Sequence, residues 1–252
     1  MFPILNVGPL AIQAPGLIIL VGLWVWFMVN DRFAEKFMIN SEVLSNNFFY
    51  SLLLGLVGAR IAFIIQTPRA FLDNPIAIIS PNLALFDFMS GILITILVFL
   101  ILTQRKKISM KDTLDAITPG LLMFLAFVAL SFFASGSLYG LPGKLPWSIY
   151  LWGTDRHPLQ LYYLVLFLLG GVFIIQEIKK DYPQGTIFFL GLTIISLITV
   201  FLEAFRGSPS AMIGTVRIPQ FVAFILLIIS IRNIKVDKTA TNVDSYPENI
   251  SS

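Results

Sequence analysis

The amino-acid sequence predicts an all-α integral membrane protein with seven transmembrane helices, and three observations support this class. Hydrophobic residues make up 57% of the 252 residues and charged residues 12%, against roughly 25% charged residues in soluble domains. Seven runs are apolar and nearly free of charge, and ~20 such residues cross the hydrocarbon core as a helix. Basic residues gather in the short segments between the runs, the distribution that orients membrane helices.

The runs are expected to be helical because backbone groups inside a bilayer find partners only within a helix or a closed barrel. They cover approximately residues 9–30, 47–66, 83–103, 117–135, 158–177, 185–204 and 211–231. The first run has no basic residues ahead of it and is followed by "NDRFAEK", so we expect a retained helix rather than a cleaved signal peptide. The fifth run opens on Pro158, which the first position of a helix tolerates.

The orientation follows from the segments after the first, third, fifth and seventh runs, which alternation places on one side. They contain Arg32, Lys36, Arg105, Lys106, Lys107, Lys111, Lys179, Lys180, Arg232, Lys235 and Lys238. Because basic loops stay in the cytoplasm, we expect the N-terminus outside and the C-terminus inside. The membrane domain is then 1–235, with an outer loop at about 136–157, and residues 236–252 form a polar, disordered cytoplasmic tail.

Residue types narrow the chemistry. The chain has no cysteine, which excludes disulfides and thiolate nucleophiles, and its one histidine excludes a multi-histidine metal site. We therefore expect no metal and no cofactor. The net charge of +3 resides in the loops and reports topology, so we expect no nucleic-acid partner.

The costly polar residues fall near the outer leaflet. They come from four predicted helices and are Arg60, His157, Gln160, Glu203, Arg206, Arg217 and Gln220. Each has a structural alternative: a snorkelling arginine, a helix cap, an interfacial anchor or, for Glu203 with Arg206, an ion pair at helical spacing. Their convergence instead predicts a site for an anionic phospholipid, because arginine matches phosphate oxygens bidentately.

Two other classes of seven-helix protein fit less well. The last run has no lysine, the residue with which a photoreceptor would form a Schiff base. A transporter is also disfavoured, because the charges do not line a path across the bilayer but stop at one leaflet.

An ordered series of short elements resembles the bacterial prolipoprotein diacylglyceryl transferase family. The elements are "VGPLAIQAPGLIILVG", "GARIAFII", "DAITPGL", "GSLYG", "LPW", "RHPLQLYY", "FLEAFRGSP" and "RIPQ". The resemblance implies a seven-helix enzyme of the bacterial cytoplasmic (inner) membrane, with a small outer arm or head at about 135–157 between the fourth and fifth helices. Such an enzyme moves a diacylglyceryl group from phosphatidylglycerol, an anionic phospholipid, to the cysteine thiol in the signal peptide of a lipoprotein precursor.

Carried over residue by residue, the resemblance places Arg206 of the E-x-x-R element, and His157 and Gln160 of the H-P-x-Q-L-Y element, beside the lipid. Alkylating a thiol requires a base and a cation for the departing glycerol phosphate. We expect His157 and Arg206 to be catalytic. The expected substrate-binding residues are Arg60, Gln160, Tyr139, Tyr162, Glu203, Arg217 and Gln220.

Several positions depart from the family pattern. Ala129, Phe132 and Ser137 stand where the family has Arg, Asn and Glu, while Met89 replaces a histidine and Pro15 a tyrosine. Two hypotheses therefore stay open: a divergent transferase, of full or weakened activity, and a non-catalytic paralogue that binds phospholipid or lipoprotein. The residues that we consider as replacements in space are Arg156, Arg217 and Asp87.

Overall fold

The computed structural model describes residues 4–7, 10–80 and 85–235, so the predicted cytoplasmic tail at 236–252 lies outside the described residues. The α-helices of the described part are α1 Ala14–Ala34, α2 Ser41–Gln66, α3 Pro68–Asp73, α4 Phe88–Arg105, α5 Met110–Ser135, α6 Leu159–Glu177, α7 Thr186–Glu203 and α8 Ile218–Asn233. Short 3-10 helices cover Glu35–Phe37 and Pro75–Ile79. Short antiparallel hairpins, which the sequence does not predict, pair β1 Ile4–Val7 with β2 Leu10–Gln13, β3 Ile149–Leu151 with β4 Thr154–Arg156, and β5 Met212–Ile213 with β6 Val216–Arg217.

Six helices of the described part are long and apolar enough to cross a membrane. They are Ala14–Phe37, which is α1 with the turn that follows it, and α2, α4, α5, α6 and α7. The predicted class, a helical multi-pass membrane protein, is confirmed by their length and composition. The seventh run differs from the prediction: α8 has 16 residues, fewer than the ~20 of a full span.

The starts of α8 and α5 differ from the starts of the apolar runs, and the residues there explain why. α8 begins at Ile218 rather than near residue 211, because residues 212–217 form the β5–β6 hairpin and Pro219 lies in the first turn, where a missing N–H costs least. α5 begins at Met110 rather than near residue 117, since Thr113 and Asp115 are buried on the helix instead of forming a loop.

The chain divides into two compact units, Met1–Val29 with Ile117–Ser252 and, separately, Asn30–Ala116. In the unit Asn30–Ala116, α2 and α4 pack closely through small residues. A Cβ on Gly55 would lie 2.9 Å from the carbonyl oxygen of Gly91, and a Cβ on Gly91 would lie 2.9 Å from the Cβ of Ala59. Such small residues let helix backbones approach in a membrane protein.

In the other unit, α6 packs on α7 and α7 on α8. Leu122 of α5 is fully buried and lies against Gly170 of α6 and Gly191 of α7. The hydroxyl of Thr193 donates to that of Ser230 at 2.8 Å, which ties α7 to α8. These contacts position the ends of α6 and α7, from which the candidate site is built.

Candidate functional site

A backbone ladder forms the frame of the site. Its central segment, residues 139–143, lies beside residues 155–157, at the start of α6. Gly140 donates its N–H to the carbonyl of His157 at 3.1 Å, and His157 donates its own to the carbonyl of Leu141 at 3.1 Å. The predicted arm at 135–157 therefore folds back on itself, ending at the β3–β4 hairpin.

The central segment also pairs with the residues that follow α7. Leu141 donates its N–H to the carbonyl of Phe205 at 2.8 Å, and Gly207 donates to the carbonyl of Tyr139 at 2.9 Å. A Cβ on Gly207 would lie 2.3 Å from the carbonyl oxygen of Gly140. Glycine is therefore required for this approach, and elements distant in sequence meet at one place.

The ladder brings His157 and Arg206 close but turns their side chains apart. Arg206 is paired with Gly140, while the imidazole of His157 packs against the ring of Phe205, with centroids 6.2 Å apart. Gly140 pairs with Arg206 and Pro142 with Arg156, so Arg156 and Arg206 share one face of the ladder. His157, the next residue after Arg156, faces the other way, because successive side chains of an extended segment alternate. The two residues expected to be catalytic thus lie on opposite faces of one ladder.

Arg206 is held by its neighbours. Its Nη1 donates to both carboxylate oxygens of Glu203 at 3.1 and 3.3 Å, its Nε to the hydroxyl of Ser208 at 2.8 Å and its Nη2 to the carbonyl of Pro209 at 3.1 Å. The Glu203 carboxylate also accepts from the hydroxyl of Tyr163 at 3.4 Å. This set fixes the guanidinium in one orientation and gives each of its three nitrogens a partner.

A cavity of about 320 Å³ opens beside Arg206. Its lining includes Ser135, Ser137, Tyr139, Trp152, Arg206 and Ser208. The charge among these residues is that of the guanidinium, and the rest of the set supplies hydroxyls and aromatic rings. His157 is not part of this lining, which agrees with its place on the other face of the ladder.

Gln160 lies behind the wall of this cavity. The side chain is fully buried, and its Nε2 donates to the carbonyl of Ser137 at 2.6 Å. Its Oε1 has no hydrogen-bond partner among the described residues. A buried acceptor left unpaired is costly, so Gln160 offers a strong acceptor to any donor that reaches it.

His157 is linked to the arm through Tyr162. Its Nδ1 lies 3.3 Å from the Tyr162 hydroxyl, and that hydroxyl accepts a hydrogen bond from Nε1 of Trp147 at 2.8 Å. Gly143 lies flat against the imidazole, since a Cβ there would be 2.5 Å from Nε2. The histidine is therefore half-buried between the arm and α6.

Arg217 and Gln220 brace the end of α7. Nη2 of Arg217 donates to the carbonyl of Arg206 at 2.6 Å, and Nε2 of Gln220 donates to the carbonyl of Val200 at 3.1 Å. The guanidinium of Arg156 lies over the ring of Tyr139, 4.8 Å from its centroid. These side chains are held by contacts with the ladder and with the end of α7.

Arg60 belongs to the unit Asn30–Ala116. It is buried, and its three nitrogens donate to the carbonyls of Ala77, Ile78 and Leu85. Its guanidinium also lies over the rings of Phe71 and Phe86. Within its own unit, Arg60 anchors the connection between α3 and α4.

Comparison with known proteins identifies the family. The sequence pattern of the family described as prolipoprotein diacylglyceryl transferase matches residues 3–235. The chain belongs to this family. Relatives include the phosphatidylglycerol–prolipoprotein diacylglyceryl transferases of Staphylococcus aureus strains MSSA476, MW2 and JH9. Each is 26% identical over 238 residues, which is 90% of this chain and 85% of the relative.

The positions that we expect to depart from the family pattern have uncharged side chains in this chain. Ala129 is buried and Phe132 is partly exposed, the hydroxyl of Ser137 contacts that of Ser135, and Met89 is exposed. Of the residues considered as replacements, Arg156 and Arg217 lie at the ladder. Asp87 caps α4 in the other unit, where it accepts from the N–H of Ser90 at 3.0 Å. Among the described residues, no group of three His, Cys, Asp or Glu side chains is placed to hold a metal ion.

Tyr163 and Trp147 are two of the residues at this site that sequence reasoning misses; Trp152 and Ser208, which line the cavity, are others. Tyr163 lies three residues after Gln160, so the two share a helix face, and this spacing was the available signal. Trp147 has no such signal, because its contact with Tyr162 joins an irregular segment to a helix 15 residues away.

Proposed function

We propose that this protein transfers a diacylglyceryl group from phosphatidylglycerol, or another anionic phospholipid, to the cysteine of a lipoprotein precursor. The observation that carries the proposal is the oriented guanidinium of Arg206 at a cavity of about 320 Å³. The family to which the chain belongs supplies the reaction type. The proposal includes seven spans, with α8 as the last, and a cavity that opens at the outer leaflet of the bacterial cytoplasmic membrane.

The reaction needs two groups on opposite sides of one carbon. The precursor sulfur attacks the glyceryl carbon, a C–S bond forms, the C–O bond to phosphate breaks and glycerol phosphate departs. The thiol proton passes to a base. Arg206 stabilises the charge on the departing phosphate, as preorganised donors do for a developing anion.

His157 is proposed as the base, because imidazole exchanges protons near neutral pH. The segments that carry His157 and Arg206 flank the central segment, so their backbones lie two strand spacings, or ~10 Å, apart. Opposite faces suit an in-line displacement, in which sulfur enters opposite the leaving oxygen. The reacting carbon is then at the edge of the ladder, with the precursor on the His157 face.

The remaining site residues have supporting roles in this proposal. Tyr139 borders the lipid headgroup, Gln160 supports the cavity wall at Ser137, and Tyr162 orients His157. Glu203, Arg217 and Gln220 hold Arg206 and the end of α7. Arg60 takes part by keeping the connection after α3 in place.

Binding without transfer is the second candidate function. The observation that favours it is the pairing of Arg206 with Glu203, whose side chain is 4% exposed. That pairing neutralises the cation at the cavity, and the uncharged side chains of Ala129 and Phe132 supply no second one. Such a protein would bind an anionic phospholipid and release it unchanged.

A transfer assay distinguishes the two functions. Purified protein is reconstituted with phosphatidylglycerol and a peptide that carries a lipoprotein-precursor cysteine. The thioether product is followed by mass spectrometry, together with glycerol phosphate release. We expect turnover in the wild type and a ~100-fold or greater loss in Arg206→Ala. Arg232→Ala, which removes an exposed arginine at the end of α8, serves as the matched control and should retain activity.

Each negative result has a defined meaning. A folded wild-type protein that gives no thioether overturns the transferase. If the same protein retains phosphatidylglycerol, and Arg206→Ala does not, binding alone is its function. In cells depleted of their own transferase, restored growth and precursor lipidation would support transfer.

A further inference from the structure

A second cavity lies in the unit Asn30–Ala116, at the end where two connections meet. It encloses about 370 Å³. The connection between α1 and α2 contributes Phe37, Met38 and Ile39, and the one between α4 and α5 contributes Lys106, Lys107 and Asp112. We call it the lysine cavity.

Its charges favour an anion. The side chains of Lys106 and Lys107 are exposed, and neither makes a hydrogen bond or ion pair with any described residue. Lys106 and Lys107 carry two positive charges and Asp112 one negative charge, so the net charge of these three side chains is +1. An ammonium group at a cavity that has no partner within the protein breaks no existing contact when it binds an anionic oxygen, so the free-energy cost of binding is small.

Its apolar part favours a lipid rather than a free anion. Met38 is 92% exposed and has a left-handed backbone with φ of 55°, an uncommon conformation for a residue other than glycine. It projects a hydrophobic side chain next to two cations, while Phe37 and Ile39 line the same space. Exposure of this apolar surface to water is unfavourable, and contact with a lipid would remove it from water.

The position along the helices matches the depth of lipid headgroups. The first candidate span ends at Phe37 and the second begins at Ser41, while α4 ends at Arg105 and α5 begins at Met110. The cavity thus lies at the boundary between the apolar helices and their connections. Basic pockets between helices at this depth are typical sites for anionic headgroups.

We propose that the lysine cavity binds the phosphate group of an anionic phospholipid, with Lys106 and Lys107 on the phosphate and Met38 against the glyceryl and upper acyl region. The site is separate from the cavity at Arg206 and does not depend on transfer activity. With the orientation proposed above, its lipid comes from the cytoplasmic leaflet.

Photo-crosslinking tests the site in the full-length protein. A phosphatidylglycerol that carries a photoreactive group near its headgroup is titrated onto protein purified in a neutral detergent, and labelled peptides are mapped by mass spectrometry. We expect saturable labelling of residues 37–43 or 106–112. In the double variant Lys106→Gln/Lys107→Gln, the half-saturating lipid concentration should rise ~25-fold, since each lysine contributes ~5-fold.

A matched double variant controls for net charge. Arg232→Gln/Lys235→Gln removes two exposed cations at the end of α8 and should leave this labelling unchanged. Met38→Glu, at a side chain free of packing, should weaken labelling without affecting folding. Three results would each overturn the lipid site. The first is an equal loss of labelling in both double variants, and the second is equal labelling by photoreactive phosphatidylcholine. The third is full competition by millimolar inorganic phosphate.

Discussion

The Tyr162 hydroxyl lies 3.3 Å from Nδ1 of His157 and accepts a hydrogen bond from Trp147 at 2.8 Å. An indole N–H can only donate, so the Tyr162 oxygen accepts there, and its second lone pair and its own proton allow it either to accept from Nδ1–H of His157 or to donate to Nδ1. A base at Nε2, beside Gly143, requires the tautomer in which Nδ1–H donates to Tyr162. Trp147 of the arm thereby contributes to the hydrogen bonding of Tyr162 in α6.

Removing this hydrogen bond should slow transfer without unfolding the protein. Tyr162→Phe leaves Nδ1 without its hydrogen-bond partner, and we expect a ~10-fold lower transfer rate, the upper end for one hydrogen bond. Trp147→Phe should cost ~3-fold, because Tyr162 remains but is less well oriented. Tyr150→Phe, at an exposed position on β3, should have the rate of the wild type. Equal rates in all four proteins would exclude a role for this chain of hydrogen bonds.

The close approach of Gly140 and Gly207 should be intolerant of a methyl group. In Gly207→Ala the new Cβ meets a backbone carbonyl at 2.3 Å, and backbone cannot move aside as a side chain can. We expect a loss of ~2 kcal/mol in the free energy of unfolding, and weaker lipid binding because Arg206 shifts with its neighbour.

Gly16→Ala is the matched control for Gly207→Ala. A Cβ on Gly16 has nothing within 4 Å, and alanine is the better helix former. The thermal midpoint of this variant should equal or exceed that of the wild type. If both alanine variants had the same midpoint, the ladder would not be as tight as its distances indicate.

The sequence predicts the helices better than the ladder. Apolar runs locate six spans because hydrophobicity is a local property of the chain. The start of α5 is missed because Thr113 and Asp115 are polar but buried, and burial depends on distant contacts. The opposite facing of His157 and Arg206 is missed for the same reason: it follows from pairing with residues 139–143, which no spacing in the sequence records.

Asp87 gives a prediction about pH. The N–H of Ser90 first, and the Gln66 side chain second, lower the pKa of the Asp87 carboxyl below its ordinary value of 3.8. Because the folded pKa is depressed, the cap stabilises α4 fully above the unfolded pKa. This stabilisation is lost as the pH falls through the lower folded value.

A carboxyl titration by NMR, assigned with Asp87→Asn, should place the Asp87 midpoint below 3.8. In Gln66→Leu the midpoint should rise only in part, because the Ser90 N–H still donates. A midpoint at the ordinary value in the wild type would show that the cap is not formed in solution.

The pair of Glu203 and Arg206 should show strong coupling in a double-mutant cycle. Their side chains are 4% and 17% exposed, so removing one partner leaves the other charge poorly solvated. Glu203→Gln and Arg206→Met should each cost ~3 kcal/mol in the free energy of unfolding, and the double variant less than their sum.

Glu177 and Lys180 provide the matched comparison, because they form an ion pair with the same i,i+3 spacing. The Lys180 side chain is 61% exposed, and water replaces its partner when the pair is broken. Lys180→Met should therefore cost less than ~1 kcal/mol, while Arg206→Met costs several times more. Chemical denaturation of the four proteins in the cycle, with Lys180→Met alongside, measures this difference. Additive losses at Glu203 and Arg206 would mean that the two charges are solvated independently, and Arg206 would then be free to pair with a phosphate at little cost.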